Sequence, residues 1–203
     1  MKKPNKEERE KLLKENRKLL KFYLKKRPNI IGLDLGTQTT GFYSKEIEGV
    51  AISGGTKNHI NHRIVIIKND LQNLITAPHK SIAIMEAYSF NLASSTLSQL
   101  SELGGTIKTL LYESRVPYLT LAPATLKKFV LSPGRGQMQG KEHMLVEVLD
   151  RWGIKFSDHN VCDAFCLAKF LETLKEYIDN KEFPKWVKLM FNDFIIKRGI
   201  PVV

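Results

Sequence analysis

The chain is poor in cysteine and contains no long apolar run. Its 203 residues include two cysteines, Cys162 and Cys166. Two thiols four residues apart exclude a disulfide scaffold and a zinc site built from several cysteines, and they favour a reducing compartment such as the cytoplasm. The longest apolar stretches, such as 64–67 and 82–85, suit buried strands and are too short to span a bilayer. The basic N-terminus has no uncharged apolar segment, so we expect neither a secretory signal nor a membrane partner.

Acidic residues are also scarce, and the excess of basic residues is unevenly distributed. The chain has 32 Lys and Arg against 21 Asp and Glu, a net charge of +11. Residues 1–28 hold 12 basic and 4 acidic residues, whereas the other 175 hold 20 and 17. This polybasic segment indicates a polyanionic partner, with nucleic acid ahead of a membrane surface. A helix that is simply charged and solvated is the alternative.

The hydrophobic pattern predicts an α/β domain with a helix before it. Asn5 and Glu8 form a capping-box pattern, and the helix that they begin ends at Pro28. The order of elements after it predicts a mixed five-stranded sheet with helices on both faces. We therefore divide the chain into a basic helix (1–28), a central α/β domain (29–180) and a basic C-terminal extension (181–203). The expected strands are 29–35, 40–44, 63–68, 81–87 and 118–121; the expected helices are 70–76, 92–103, 106–114, 141–152 and 160–177.

Three acids stand where an unpartnered charge is unfavourable. Asp34 and Glu86 end apolar strands, and Asp163 lies within an apolar helix. If the two strands are neighbours and the helix crosses their ends, the three carboxylates converge. Converging carboxylates repel each other unless a cation neutralises them, and oxygen ligands suit Mg²⁺ or Mn²⁺. Taken singly, each acid could instead pair with a lysine or a backbone N–H group.

Four sequence blocks contain or surround these acids and the basic residues between them. The blocks are IGLDLG at 31–36 with Thr40-Gly41, AIMEA at 83–87, PATLKKF at 123–129 continuing to Gly140-Lys141, and DHNVCDAFCLA at 158–168. In this order and spacing they resemble the RuvC family of Holliday-junction resolvases, in the ribonuclease H-like superfamily, and in particular a bacteriophage-type member. The likeness extends over about residues 29–175.

The resemblance implies a ribonuclease H-like fold and a catalytic site with two Mg²⁺ ions, or Mn²⁺ in their place. Asp34, Glu86 and Asp163 match the family's metal-binding acids. The family has an acid or a histidine about three residues before the last of these, where this chain has Asn160. The fourth ligand is therefore open between Asn160, His159 and Asp158.

The resemblance further implies a homodimer that binds four-way or other branched DNA and cuts it symmetrically, without a nucleotide cofactor. The dimer contact would lie in the helix at 92–103. Tyr88 and Phe90 match the place where the family offers an aromatic side chain to the junction centre, with core packing as their alternative. The residues expected to contact phosphates are Lys127, Lys128, Arg135 and Lys141.

Two other functions fit parts of the pattern. Residues 31–41 also resemble the first phosphate-binding block of sugar kinases and actin-like ATPases, but those enzymes need two such domains and a longer chain. A resolvase-like module that binds branched DNA without cutting it is the third possibility, and Asn160 is its only support.

Overall fold

The computed structural model describes residues 4–87, 94–131 and 141–202. A five-stranded sheet lies at its centre, in the order β3-β2-β1-β4-β5. β1 is parallel to β4 and β4 to β5, whereas β2 runs antiparallel to β1 and β3. The predicted mixed sheet flanked by helices is confirmed. The strands are β1 (Asn29–Asp34), β2 (Thr39–Tyr43), β3 (Val50–Ser53), β4 (Ser81–Glu86) and β5 (Tyr118–Leu121).

Seven helices surround the sheet in the described part of the chain. None of them is long and apolar enough to cross a membrane. They are α1 (Lys6–Lys26), α2 (Ile60–Leu74), α3 (Ser94–Glu113), α4 (Pro123–Leu131), α5 (Lys141–Trp152), α6 (His159–Ile178) and α7 (Lys185–Arg198).

The two faces of the sheet bury different sets of helices. Side chains alternate along β1 and β4, so Ile30, Ile82 and Ile84 pack in one cluster with α1 and α4–α7. Ile31 and Leu33 point the other way, into a second cluster with α2 and α3. The molecule thus has three layers, and α6 lies against the first face over β1 and β2.

The strand predicted at 63–68 is wrong, because that segment is helical. It forms one longer helix, α2, with residues 70–74 of the helix predicted at 70–76, and the third strand of the sheet is β3. Within α2, Ile64, Ile67 and Leu71 are buried while Val65 is half exposed. This spacing of three and four residues is helical, and the run of four β-branched residues concealed it.

The helix break predicted at Gly104-Gly105 is also wrong. The segments at 92–103 and 106–114 form one helix, α3, over its described residues. Leu103 and Ile107 are fully buried on either side of the glycines. Their burial outweighs the helix penalty of about 1 kcal/mol for each glycine.

Helix α1 packs on the body of the protein through one face. The predicted capping box is present, with Asn5 and Glu8 exchanging hydrogen bonds of 2.8 and 2.9 Å. Leu20 and Leu24 are fully buried, and the buried Asn16 side chain donates a 2.9 Å hydrogen bond to the Ile195 carbonyl of α7. Removing residues 1–28 would therefore expose core as well as remove charge.

The segment after residue 180 is also built into the core. Phe191 and Ile195 of α7 are fully buried in the cluster that contains α6. Beyond α7, the backbone of Val202 exchanges two hydrogen bonds with that of Tyr118, at 2.9 and 3.0 Å, and so extends the edge of the sheet at β5. Both ends of the chain contribute to the same hydrophobic cluster as α6.

Close contact between α6 and the sheet depends on two glycines. A Cβ atom at Gly32 of β1 would overlap the Ala164 carbonyl oxygen of α6. At Gly41 of β2 it would overlap the Asn160 carbonyl group. Any larger residue at these positions would push the helix away from the strands.

We expect Gly32→Ala to destabilise the fold by about 1–3 kcal/mol, because the added methyl group meets backbone that cannot rotate away. The matched control is Gly105→Ala in α3, where an added Cβ has nothing within 4 Å. That change should stabilise the helix by about 0.5–1 kcal/mol. Urea unfolding measures both, and equal effects of the two variants would contradict the close packing of α6.

Candidate functional site

Asp34 and Glu86 stand side by side at the ends of adjacent parallel strands. Asp34 is the last residue of β1, and Glu86 is the last residue of β4. The register pairs Leu33 with Met85, so the next position on each strand aligns Asp34 with Glu86. Neighbouring strands are about 4.8 Å apart, which brings the two backbones within reach of one ligand.

Both acids project toward the face of the sheet that α6 covers. Alternation along the strands puts Asp34 on the same side as Ile30, and Glu86 on the same side as Ile82 and Ile84. These isoleucines belong to the cluster that contains α6. Both acidic residues are partly exposed, in contrast to the buried residues that precede them. The two carboxylates therefore point to the rim of the apolar core.

The first turn of α6 lies above Asp34. Gly41 pairs with Asp34 across β1 and β2, and its missing side chain leaves room for the backbone of Asn160. One turn further along, Ala164 lies on Gly32. The helix thus begins at the level of the two acids and runs back along the sheet.

Asp163 lies on the side of α6 that faces away from β2. Phe165 packs edge-to-face on Tyr43 of β2, with ring centroids 5.0 Å apart, so it marks the side toward β2. Two residues correspond to about 200° around a helix, which puts Asp163 opposite Phe165. Because β4 lies beyond β1 on that side, Asp163 is on the Glu86 side of the helix.

Asn160 and His159 precede Asp163 by three and four residues and so share its side of α6. Asp158 has a different place, as the N-cap of the helix. Its Oδ1 atom accepts hydrogen bonds from the backbone N–H groups of Asn160 at 2.8 Å and Val161 at 3.0 Å. This cap fixes the first turn of α6 and uses one oxygen of the Asp158 carboxylate.

Thr40 is a positioning residue to which the sequence assigned no role. Its side chain is fully buried, and its hydroxyl group donates a 2.9 Å hydrogen bond to the Gly36 carbonyl oxygen. The Thr40 hydroxyl oxygen in turn accepts a 3.4 Å hydrogen bond from the Gly36 N–H group. These bonds close the turn that follows Asp34. In the sequence, the threonine immediately before Gly41 is the feature that could have indicated this turn-closing role.

The side chains of the site are of the type that binds a hard cation, but they are not arranged as a metal-binding cluster. The side-chain atoms available as ligands are all oxygens, which Mg²⁺ prefers. They belong to Asp34, Glu86, Asp163 and Asn160. Among the described residues, no group of three or more His, Cys, Asp or Glu side chains is arranged to hold a metal ion. The structure brings the predicted residues to one end and one face of the sheet.

The two thiols of α6 are packed in the hydrophobic core. Cys162 and Cys166 are both buried. A side-chain hydrogen bond with Cys162, followed by burial, raises the pKa of Cys166 well above its ordinary value, and the nearby charge of Asp163 acts in the same direction. A neutral buried thiol is neither a nucleophile nor a metal ligand.

Helix α4 presents two of the predicted phosphate contacts. Lys127 and Lys128 are both exposed on this helix, which begins two residues after β5 ends. Arg151 of α5 stabilises the far end of α4, because its Nη1 atom donates hydrogen bonds to the carbonyls of Phe129 at 2.6 Å and Val130 at 2.9 Å. Four other predicted contacts lie outside the part of the chain that the structure describes: Arg135, Tyr88, Phe90 and the side chain of Lys141.

The chain is similar to known proteins in sequence and in fold. No protein-family model matches the chain. The chain is 24% identical over 149 residues to the crossover junction endodeoxyribonuclease RuvC of Paracidovorax citrulli, covering 68% of this chain and 81% of that protein.

Two solved structures of RuvC from Thermus thermophilus share the fold. The one in complex with a Holliday junction substrate superposes with a TM-score of 0.56 at 14% identity. The other superposes with a TM-score of 0.55 at 15% identity. In both comparisons the match covers 69% of this chain and 90% of the other. The predicted ribonuclease H-like architecture and the resemblance of this chain to the RuvC family are therefore confirmed.

Proposed function

We propose that this protein is a metal-dependent, structure-selective DNA endonuclease that resolves Holliday junctions, and that it can act on other branched DNA. The observation that carries the proposal is the placement of Asp34 and Glu86 side by side at the ends of β1 and β4, beneath the first turn of α6. The similarity to a curated RuvC and to RuvC bound to a Holliday junction supports the same activity.

In this proposal Asp34, Glu86 and Asp163 hold the cations, and Asn160 completes the set, with His159 as the alternative to Asn160. Two Mg²⁺ ions, or Mn²⁺ ions, would supply an activated water and neutralise charge on the scissile phosphate. The contribution of the protein is to hold the three acids in position. Asp34 and Glu86 are fixed by strand register, and Asp163 by the contact of α6 with Gly32 and Gly41.

The basic surface of the protein gives this acidic site access to a polyanion. Lys127 and Lys128 lie on α4, which starts at the same end of the sheet as the acids. Lys11, Lys14 and Lys18 are exposed on α1, opposite its buried face. We assign phosphate contacts to both sets, since phosphate contacts orient the duplex without reading its sequence.

We also propose that the active form is a homodimer in the bacterial cytoplasm. A two-fold symmetric enzyme matches the symmetry of a four-way junction and allows paired cuts. The buried residues of α3 begin at Leu103. In its first half, from Ser94 to Glu102, no residue is fully buried in the described part of the chain, and Leu97 and Leu100 are partly exposed. That half of α3 includes Leu97 and Leu100 and is the surface that we assign to the second copy.

We expect Asp34→Asn to reduce junction cleavage by at least about 100-fold, because it removes a charged ligand that stabilises the transition state by several kcal/mol. Binding to the junction should be unchanged or slightly tighter, since one negative charge is lost. The assay incubates a four-way junction, labelled on each strand in turn, with the protein and Mg²⁺. Wild-type protein should give paired symmetric cuts, and adding EDTA should stop them.

The control for this variant is Asp70→Asn, which removes the same charge from an exposed position on α2. It should cut at the wild-type rate. If Asp34→Asn still cuts as the wild type does, the assignment of the metal site is wrong. If wild-type protein binds the junction but never cuts it, a non-cleaving branched-DNA module is the better description.

We expect the triple change of Lys11, Lys14 and Lys18 to Gln to weaken junction binding and to flatten its dependence on salt. Each phosphate contact that is lost should lower the slope of log K against log salt by about 0.9. Because these side chains point away from the α1 contact with the core, the fold should be unaffected. Fluorescence anisotropy over a salt series measures the slope, and an unchanged slope would show that α1 serves packing alone.

A further inference from the structure

A groove lies between α4 and α7 on the side of the sheet next to β5. We call it the α4–α7 groove; its volume is about 520 Å³. Apolar groups form much of its lining, including Ala122, Leu189 and Phe194. Leu189 is 61% exposed, although it lies on a helix whose opposite side is part of the core. The groove is thus an open surface feature with an apolar floor.

The rim of the groove is cationic. Lys128 stands on the α4 side, and Lys197 and Arg198 stand on the α7 side. All three are exposed. The acid that lines the groove, Asp193, is already engaged, with Lys197 at 2.8 Å and with Arg9 of α1 at 3.6 Å. The lining therefore carries a net positive charge, and its one carboxylate is compensated.

Arg198 is held in place at the end of the sheet. Its Nη1 atom donates a 3.0 Å hydrogen bond to the hydroxyl oxygen of Thr120 in β5. An arginine has five N–H donors, so this bond orients the guanidinium group and leaves other donors for a phosphate. A pre-positioned arginine loses less side-chain entropy when it binds an anion.

The groove opens at the same end of the sheet as the candidate acids. β5 is parallel to β4, and its last residue, Leu121, pairs with Glu86. Ala122, which lines the groove, follows directly. Asp34, Glu86 and Leu121 therefore form a row across three adjacent strands, each about 4.8 Å from the next. The groove therefore lies on the β5 side of the two acids.

We propose that the α4–α7 groove binds the sugar-phosphate backbone of a DNA strand on its way to or from the acidic site, an inference that rests on the proposed nuclease function. Lys128, Lys197 and Arg198 contact phosphates, and the apolar floor around Leu189 accommodates deoxyribose. Helix α7 thereby becomes part of the DNA-binding surface. The net positive rim favours this polyanion over a neutral or cationic partner.

The test compares two double variants that remove the same charge from the same helix. Lys197→Gln with Arg198→Gln alters the groove. Lys185→Gln with Lys188→Gln alters the other end of α7, between about 13 and 20 Å away along the helix axis. Affinity for a four-way junction is measured by anisotropy with the full chain in EDTA, over a series of salt concentrations.

We expect the groove variant to bind at least about fivefold more weakly near 0.1 M salt, with a salt slope lower by about one to two units. The control variant should stay within about twofold of wild type. Equal affinities and slopes for the two variants would overturn the inference. If the wild-type protein itself does not bind the junction, the proposed function fails, and that result is distinct from failure of the groove alone.

A second pair of variants tests the role of the apolar floor of the groove without removing a hydrogen bond. Leu189→Glu places a negative charge in the groove at an exposed position, and Val65→Glu does the same on α2, at the opposite face of the sheet. We expect weaker DNA binding for Leu189→Glu only. Matched urea midpoints would show that both variants fold, and unchanged binding by a folded Leu189→Glu protein would contradict the proposal.

Discussion

The direct contact of α6 with the backbone of β1 and β2 determines the rest of the arrangement. It is possible because Gly32 and Gly41 have no side chains where Ala164 and Asn160 approach. The contact sets the height of the helix above the sheet and the level at which it begins. Helices α1, α4, α5 and α7 then complete one hydrophobic cluster around it. The position of Asp163 relative to the strands is a consequence of the same contact.

The candidate site must bind cations and also allow a negatively charged DNA backbone to approach, and these two requirements need opposite charges. Acids at the ends of β1 and β4 are needed to hold cations, but they repel a DNA backbone. The surrounding basic residues on α1, α4 and α7 offset that repulsion and attract the polyanion over a longer range. Of the net charge of +11, most lies in the first 28 residues, on a helix that is itself part of the core. In this account, structural packing and DNA attraction use opposite faces of α1.

The sheet and the location of the acids could be predicted from the sequence because their signals are local. Asp34 and Glu86 each end an uninterrupted apolar run, and a strand buried on both faces has that pattern. The run at 64–67 has the same composition, yet it is helical, because only Ile64 and Ile67 of that run meet the core. Short apolar runs are ambiguous until the partner surface is known. The packing of α7 depends on contacts with residues far away in the chain, so no local pattern could predict it.

The central claim is that Asp34, Glu86 and Asp163 jointly hold divalent cations. The most direct measurement is the anomalous scattering of Mn²⁺ in crystals of the wild-type protein soaked with that ion. The account predicts a peak at the ends of β1 and β4, with carboxylate oxygens of all three acids within about 2.0–2.6 Å of bound metal. A peak elsewhere, or none at these acids at a saturating concentration, would contradict it.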